Sequence, residues 1–244
     1  MSEKEKRAFG TPRVLYEDNH VLVALKEPNL LTQGDSTGDP DMLGLLKDYI
    51  KEKYEKPGEV YLGLVHRMDR PVGGLLVFAR TSKAASRLSQ QIKDGGLQRE
   101  YVLVAQGAAP DRGTLKDWLD KDTDTNMVAV VPSYLRKGKE AVLHYQVAGR
   151  REELSLVQVR LETGRAHQIR VQMAHAGLSL WGDNRYGQGR RGQQIALWGM
   201  RLKFSHPITG KAMVFVAPPP DTGIWSEFRG ELQGLSTLWP EVGA

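Results

Sequence analysis

The residues best suited to chemistry stand in GLVHRMDRPVGGLLVFAR, residues 63–80. Asp69 sits there between Arg67 and Arg70, followed by Pro71, then Gly73 and Gly74, then an apolar run. Two flanking cations favour the charged form of a carboxylate. Paired glycines let another backbone, or a ligand, come close. An apolar strand directly after the knot would hold Asp69 rigidly at the end of a sheet. A fixed, charged carboxylate suits nucleophilic or electrostatic chemistry. The competing reading is a surface Arg-Asp-Arg cluster on a turn, and the residues alone leave both open.

A second cluster is GRAHQIRVQMAHAG, residues 164–177. Arg165 and Arg170 could bind phosphate or grip a carboxylate through two hydrogen bonds. His167 precedes Arg170 by three residues, a spacing that puts both on one helix face. The plainer reading is a solvated basic helix face. Tyr101 lies mid-strand behind Arg99 and Glu100, where a core aromatic is the usual occupant. Trp118, Trp181 and Trp198 could stack on bases, or fill half-buried core positions.

Other chemistries lack their residues. His167 and His175 are eight apart rather than four, and no H-E-x-x-H run occurs, so no metal site is expected. There is no phosphate-binding loop of the G-x-x-x-x-G-K-[ST] type and no G-x-S-x-G elbow. The absence of cysteine excludes a disulfide frame and a thiolate nucleophile.

The elements that must position these groups are short. Residues 13–26 read as two strands about a turn at Asp18-Asn19. LTQGDSTGDP reads as a loop. DMLGLLKDYIKEKYEKPG carries Met42, Leu45, Leu46, Tyr49 and Ile50 at helical spacing. GLLVFA is an apolar strand, and TSKAASRLSQQIKDGG is a helix with Ser82 as its cap. REYVLVAQG alternates, with Tyr101, Leu103 and Ala105 on one face. Residues 107–138 are rich in Gly, Asp and Lys and read as loop. EAVLHYQVAG and LSLVQVRLE form a hairpin, AHQIRVQMAHAG a short helix, and QIALWGMRLKFSHPITGKAMVFVAPPP two strands about a turn. The stretch from Pro218 onward reads as a wrap over the surface. Many strands with few helices predict an α+β fold with a central, largely antiparallel or mixed sheet. The expected layout is a polar tail over 1–12, one domain over 13–220 and a C-terminal extension over 221–244.

The chain of 244 residues has a net charge of +5 and a pI near 9.3, which favours polyanionic partners, nucleic acid above all. No apolar run is long enough to span a membrane, and the opening MSEKEKRAFGTPR is not a signal peptide. The reading is a cytoplasmic protein.

Together these stretches resemble the RluA-type pseudouridine synthases. HRMDRPVGGLLVFART is similar to that family's H-R-L-D-x-x-T-S-G-L-L motif, and VLYEDNHVLVALKEPNLLTQGD to its opening strand pair, which usually ends N-K-P-x-G. REYVLVAQG resembles its K-x-Y strand. GRAHQIRVQMAHAGLSLWGDNRYG resembles its G-R-T-H-Q-I-R segment with the following G-D-x-x-Y-G. IALWGMRLKFSHPITGKAMVFVAPPP resembles its closing strands. The resemblance covers nearly the whole chain.

It implies the pseudouridine synthase fold, with an active-site cleft across the sheet, and isomerisation of uridine in transfer or ribosomal RNA, with no cofactor and no metal. Asp69 matches the catalytic carboxylate, which attacks C1′ of a flipped uridine or removes a ribose proton. Arg170 matches the arginine that pairs with it, and Tyr101 the tyrosine that packs on the base. Arg67 matches the arginine that fills the vacated stack. His66, Arg165 and His167 fall in motifs that meet the RNA, and Leu197 matches a residue lining the uracil pocket. A monomer is implied. Pulling a base from a folded RNA and remaking its glycosidic bond fits such a set. The departures are Arg70-Pro71-Val72-Gly73 for x-x-T-S, Ala166 for Thr, Gln172 where many members have His, Arg99 for Lys, and Glu27 and Asn29 in the opening motif. They bear on which RNA is bound. With some 12 residues before the first strand, RNA recognition is expected to fall on the domain itself, through Lys137, Lys139, Arg190 and Arg191. The rival readings are a non-catalytic RNA-binding protein on the same fold, a metal-dependent hydrolase using His66, Asp69 and His167, and a basic protein-binding domain.

Overall fold

The computed structural model describes residues 10–237. Most of the expected polar tail, and the last residues of the expected C-terminal extension, lie outside them. The chain divides into two compact units. One runs up to Gln98 and resumes over Arg201–Ala217; the other holds Arg99–Met200 and the chain from Pro218.

In the first unit β1 (Arg13–Glu17), β2 (Val21–Lys26) and β4 (Gly73–Ala79) form an antiparallel array, with β3 (Gly63–Leu64) also paired to β4. Every residue of β2 and β4 is buried. That explains their continuous apolar runs, since a strand covered on both faces has no solvent side to alternate with. Each large apolar side chain so buried contributes about 1.5–3 kcal/mol. The β1–β2 turn is closed by Asp18, whose Oδ1 accepts the amides of His20 (2.7 Å) and Val21 (2.8 Å). Its Oδ2 accepts from Tyr16 Oη (3.0 Å) and His206 Nε2 (2.9 Å). Helix α1 (Met42–Lys53) is capped by Asp41. Helix α2 (Ser82–Lys93) packs on β4. Its cap is Thr81, not Ser82: Thr81 has the extended backbone a cap needs and accepts from the Ala84 amide at 3.2 Å, which leaves Ser82 as the first helical residue.

The second unit holds β5 (Gln98–Gln106), β6 (Arg112–Lys121), β7 (Val128–Val131), β8 (Lys139–Arg151) and β9 (Leu154–Leu161) in the order β5-β9-β8-β6-β7, every pair antiparallel. The loop expected over 107–138 is therefore largely a hairpin. Along β6 exposed positions alternate at first with half-buried ones: Lys116 and Lys121 are exposed, Asp117 and Asp120 half-buried. Helix α3 (Gln168–His175) packs against β6 and β7. Strand β10 (Leu197–Ser205) passes from the second unit into the first, where its later half pairs with β11 (Ala212–Val216). All these pairings agree with the expected α+β class.

The chain beyond Pro218 is not a plain wrap. It forms a 3₁₀ turn (Gly223–Phe228) and helix α4 (Arg229–Thr237), burying Trp225, Phe228, Leu232 and Leu235. Arg151 holds this segment, pairing with Glu231 at 2.7 Å and lying over the Phe228 ring. The bulge in β8 at Gly149 makes room for Glu231, because a Cβ there would fall 2.9 Å from the Glu231 Cγ. Gly149→Val is expected to cost about 1–3 kcal/mol by overpacking and to expose α4 to protease. An unchanged urea midpoint and cleavage pattern would contradict that docking.

Candidate active site

Asp69 is half-buried and opens the turn that leads into β4 at Gly73. Its carbonyl accepts the Val72 amide at 3.0 Å, which closes the turn into the strand. Both neighbours are clamped. The Thr32 hydroxyl donates to the Met68 carbonyl (2.9 Å) and accepts the Met68 amide (3.1 Å). Lys26 Nζ donates to the carbonyls of Arg70 (3.0 Å) and Glu27 (3.1 Å). Gly74, with φ of +133°, lies opposite Lys26 across the β2–β4 ladder. That backbone region favours glycine.

Arg70, one of the two cations flanking Asp69 in sequence, reaches to the loop before α1. Its guanidinium is 2.6 Å from Asp39 and also donates to the Asn29 carbonyl. Asn29 itself is left-handed, at φ +68°, a conformation asparagine tolerates well. Arg67 is exposed. His66 is buried, and its Nε2 accepts the Val77 amide at 3.1 Å, so the ring braces β4.

Lys26, in the lysine place of the N-K-P-x-G motif, carries no signal in the sequence that marks it as buried. It is fully buried. Burial pushes its pKa down to about 7, with Arg70 acting the same way, while the charges of Asp69 and Glu27 pull it back up. Unfolded, the amine titrates near 10.5. Between about 7 and 10.5 the unfolded chain therefore holds a proton that the fold lacks, so this group makes stability rise with pH across that window and adds no slope below it. Lys26→Met is expected to remove that rise, seen as urea midpoints at pH 6.5, 8 and 9.5. Parallel profiles for variant and wild type would contradict it.

The second unit holds the other residues of interest. Tyr101 is buried in β5 opposite Val159. Leu197 is buried at the start of β10. Arg165 is exposed and its Nε donates to the Glu140 carbonyl at 2.8 Å. Gly164 leaves space for the Arg99 guanidinium, 2.6 Å from where a Cβ would be. His167 is not on a helix face with Arg170. It is the residue before α3, in the left-handed region at φ +52°. Its Nδ1 lies 2.6 Å from Tyr186 Oη, which also accepts the Val128 amide.

Arg170 is buried and grips Asp183 twice, Nε to Oδ2 at 2.8 Å and Nη2 to Oδ1 at 2.7 Å. It also lies over the Tyr186 ring. Asp183 further accepts the amides of Arg185 and Tyr186. Burial alone would raise its pKa; the Arg170 hydrogen bond and charge, with those amides, outweigh burial and lower it. Asp183 and Tyr186 are the aspartate and tyrosine of GDNRYG, a motif read in the sequence without roles for either. Gln172 ties α3 to the sheet through Asp117 and the Ala141 carbonyl. Among the described residues no three His, Asp or Glu are gathered so as to hold a metal ion.

The sequence model of the RNA pseudouridylate synthase family matches residues 20–175. The chain belongs to the RluA-type RNA pseudouridine synthases. It is 34% identical over 225 residues to ribosomal large subunit pseudouridine synthase D of Vibrio parahaemolyticus, covering 85% of this chain and 67% of that one. It is 35% identical over 218 residues to uncharacterized RNA pseudouridine synthase YhcT of Bacillus subtilis, covering 87% and 70%. The fold resembles human RNA pseudouridylate synthase domain containing 4, with a TM-score of 0.72 at 19% identity over 91% of this chain and 93% of the other. Human domain containing 1 follows at a TM-score of 0.65 and 21% identity, over 86% and 84%. This synthase is an isomerase that converts uridine to pseudouridine in RNA. No helix among its described residues is long and apolar enough to cross a membrane.

Proposed function

We propose that Asp69 starts the isomerisation of a flipped uridine in ribosomal RNA, with transfer RNA the second candidate. The names of the relatives support the ribosomal choice. The observation that carries the assignment of Asp69 is its half-buried carboxylate at the head of a fully buried strand, with the residues on either side clamped by Thr32 and Lys26. A carboxylate held this way loses little freedom on reaching the transition state. Asp69 acts at the ribose, by attack on C1′ or by removing a ribose proton. The N1–C1′ bond breaks, the uracil turns, C5 bonds to C1′, N1 takes up a proton and the C5 proton leaves to water.

The family resemblance assigns Tyr101 to the base and to loss of the C5 proton, Arg170 to pairing with the catalytic carboxylate, Leu197 to the uracil, and Arg67, His66, Arg165 and His167 to the RNA. The working unit is a monomeric cytoplasmic domain over 13–220 that needs no metal. The test is tritium release from RNA labelled at C5 of uridine, with ribosomal and transfer RNA from a strain lacking this protein. Release from ribosomal RNA, undiminished by a chelator, is expected. No release from either pool would defeat the reading.

A further inference from the structure

Between β7 and β8 the chain crosses through PSYLRKG, residues 132–138. Ser133–Leu135 form a 3₁₀ turn, in which the Leu135 amide donates to Pro132 (3.1 Å) and the Arg136 amide to Ser133 (3.2 Å). Arg136 and Gly138 are both left-handed, at φ +52° and +76°. The crossing is pressed onto β6, since a Cβ on Gly138 would fall 2.6 Å from the Leu119 carbonyl oxygen. The loop is thus a fixed ledge. On it Tyr134 is 79% exposed, the most open large hydrophobic side chain among the described residues. Arg136, Lys137 and Lys139 beside it are all exposed, and no carboxylate lies between Val131 and Glu140.

An isolated exposed tyrosine needs no explanation. This one stands among three cations on a rigid turn, and that turn is fixed to the segment bearing the family's basic motif. Arg165 binds the carbonyl of Glu140, the residue after Lys139. Leu119 and Val128 of the hairpin pack with Ala141 and with Val171 of α3, and Ala166 and Tyr186 close over them. Glu140 is six positions on from Tyr134, so the ring's backbone lies within about 20 Å of the Arg165 contact.

We propose that Tyr134 is a stacking platform for an unpaired base of the substrate RNA, with the neighbouring phosphates bound by Arg136, Lys137 and Lys139. Aromatic faces take any base, and flanking cations follow the backbone. The inference rests on the RNA-modifying reading above, but assigns a contact away from the reacting uridine.

Its test uses two probes, a dodecauridylate and a blunt RNA duplex, and tritium release from ribosomal RNA. Tyr134→Ala is expected to weaken dodecauridylate binding on the order of tenfold. Duplex binding and the salt slope should hardly move. Tyr134→Trp should bind like wild type. In turnover, Tyr134→Ala should raise KM and leave kcat at saturating RNA unchanged. Changing Arg136, Lys137 and Lys139 together to Ala should flatten the slope of log K against log salt by about 2. Wild-type affinity in Tyr134→Ala, or an equal loss on duplex and single strand, would overturn the platform. If wild type released no tritium while dodecauridylate binding still depended on Tyr134, the catalytic reading would fall and the platform would stand.

Discussion

Asp69→Asn is expected to lower tritium release by at least about 10⁴-fold, the scale on which removing the reacting group of an enzyme acts. Asparagine keeps the shape of the side chain and loses its charge. It can neither attack the ribose nor accept a proton from it. The clamps on Met68 and Arg70 use backbone atoms of those residues, so the turn should survive the change. RNA affinity should stay within about threefold, because phosphate contacts supply most of it. The thermal midpoint should barely shift. The coupled outcome matters: lost turnover with retained binding and stability assigns the chemistry to this carboxylate. Turnover within tenfold of wild type would remove Asp69 from the mechanism. Lost turnover with lost binding would make it a structural residue.

The largest stability effect should come from Arg170→Ala. The substitution leaves Asp183 as a carboxylate with a side chain only 1% exposed, with the amides of Arg185 and Tyr186 still donating to it. Breaking one side of a buried pair costs about 3–5 kcal/mol. In a chain of this length that is a fall in thermal midpoint of roughly 6–20 °C. The sign with pH separates charge from lost packing. In the wild type Asp183 has a lowered pKa, so its contribution is present above the unfolded value of 3.8 and is lost as pH falls through the folded value. In the variant burial acts on Asp183 without Arg170, and protonation relieves the strain. The gap between variant and wild type should therefore narrow from pH 7 to pH 4. Arg170→Met with Asp183→Asn should recover part of the loss, because no buried charge is left alone. A gap constant with pH would point to packing instead.

Much of this was legible in the residues. The uninterrupted apolar runs of β2 and β4 declare strands covered on both faces. HRMD before Gly73-Gly74 locates the carboxylate, because glycine marks where the chain must approach closely. What was not legible has physical reasons. Strand β6 was hidden by its own composition: Asp117, Lys116 and Lys121 are poor strand formers whose cost is offset by pairing with β8. Helix α4 was hidden by the Pro and Gly before it, although Trp225, Phe228, Leu232 and Leu235 already stood at helical spacing. Lys26 gives no sign of its burial, because lysine is almost always a surface residue. Spacing alone puts His167 on a helix face, since it cannot show a left-handed residue at the boundary. The Arg170–Asp183 grip was invisible for a different reason: no periodicity ties two residues across a turn.

The way the chain is shared between the units also bears on how the protein is made. Asp18 waits for His206, 188 residues later, to complete its hydrogen bonds. The unit containing Asp18 is finished only by Arg201–Ala217. A ribosome adding about 5–20 residues per second takes roughly 10–40 s to cover that interval. For most of it β2 and, once made, β4 can pair with each other, while β10 and β11 are still to come. An apolar strand with an unpaired edge is what chaperones bind and what aggregates. Release of native enzyme should therefore track completion of the chain rather than emergence of the segment that carries Asp69, and a nascent chain arrested before β10 should be held by a chaperone rather than fold.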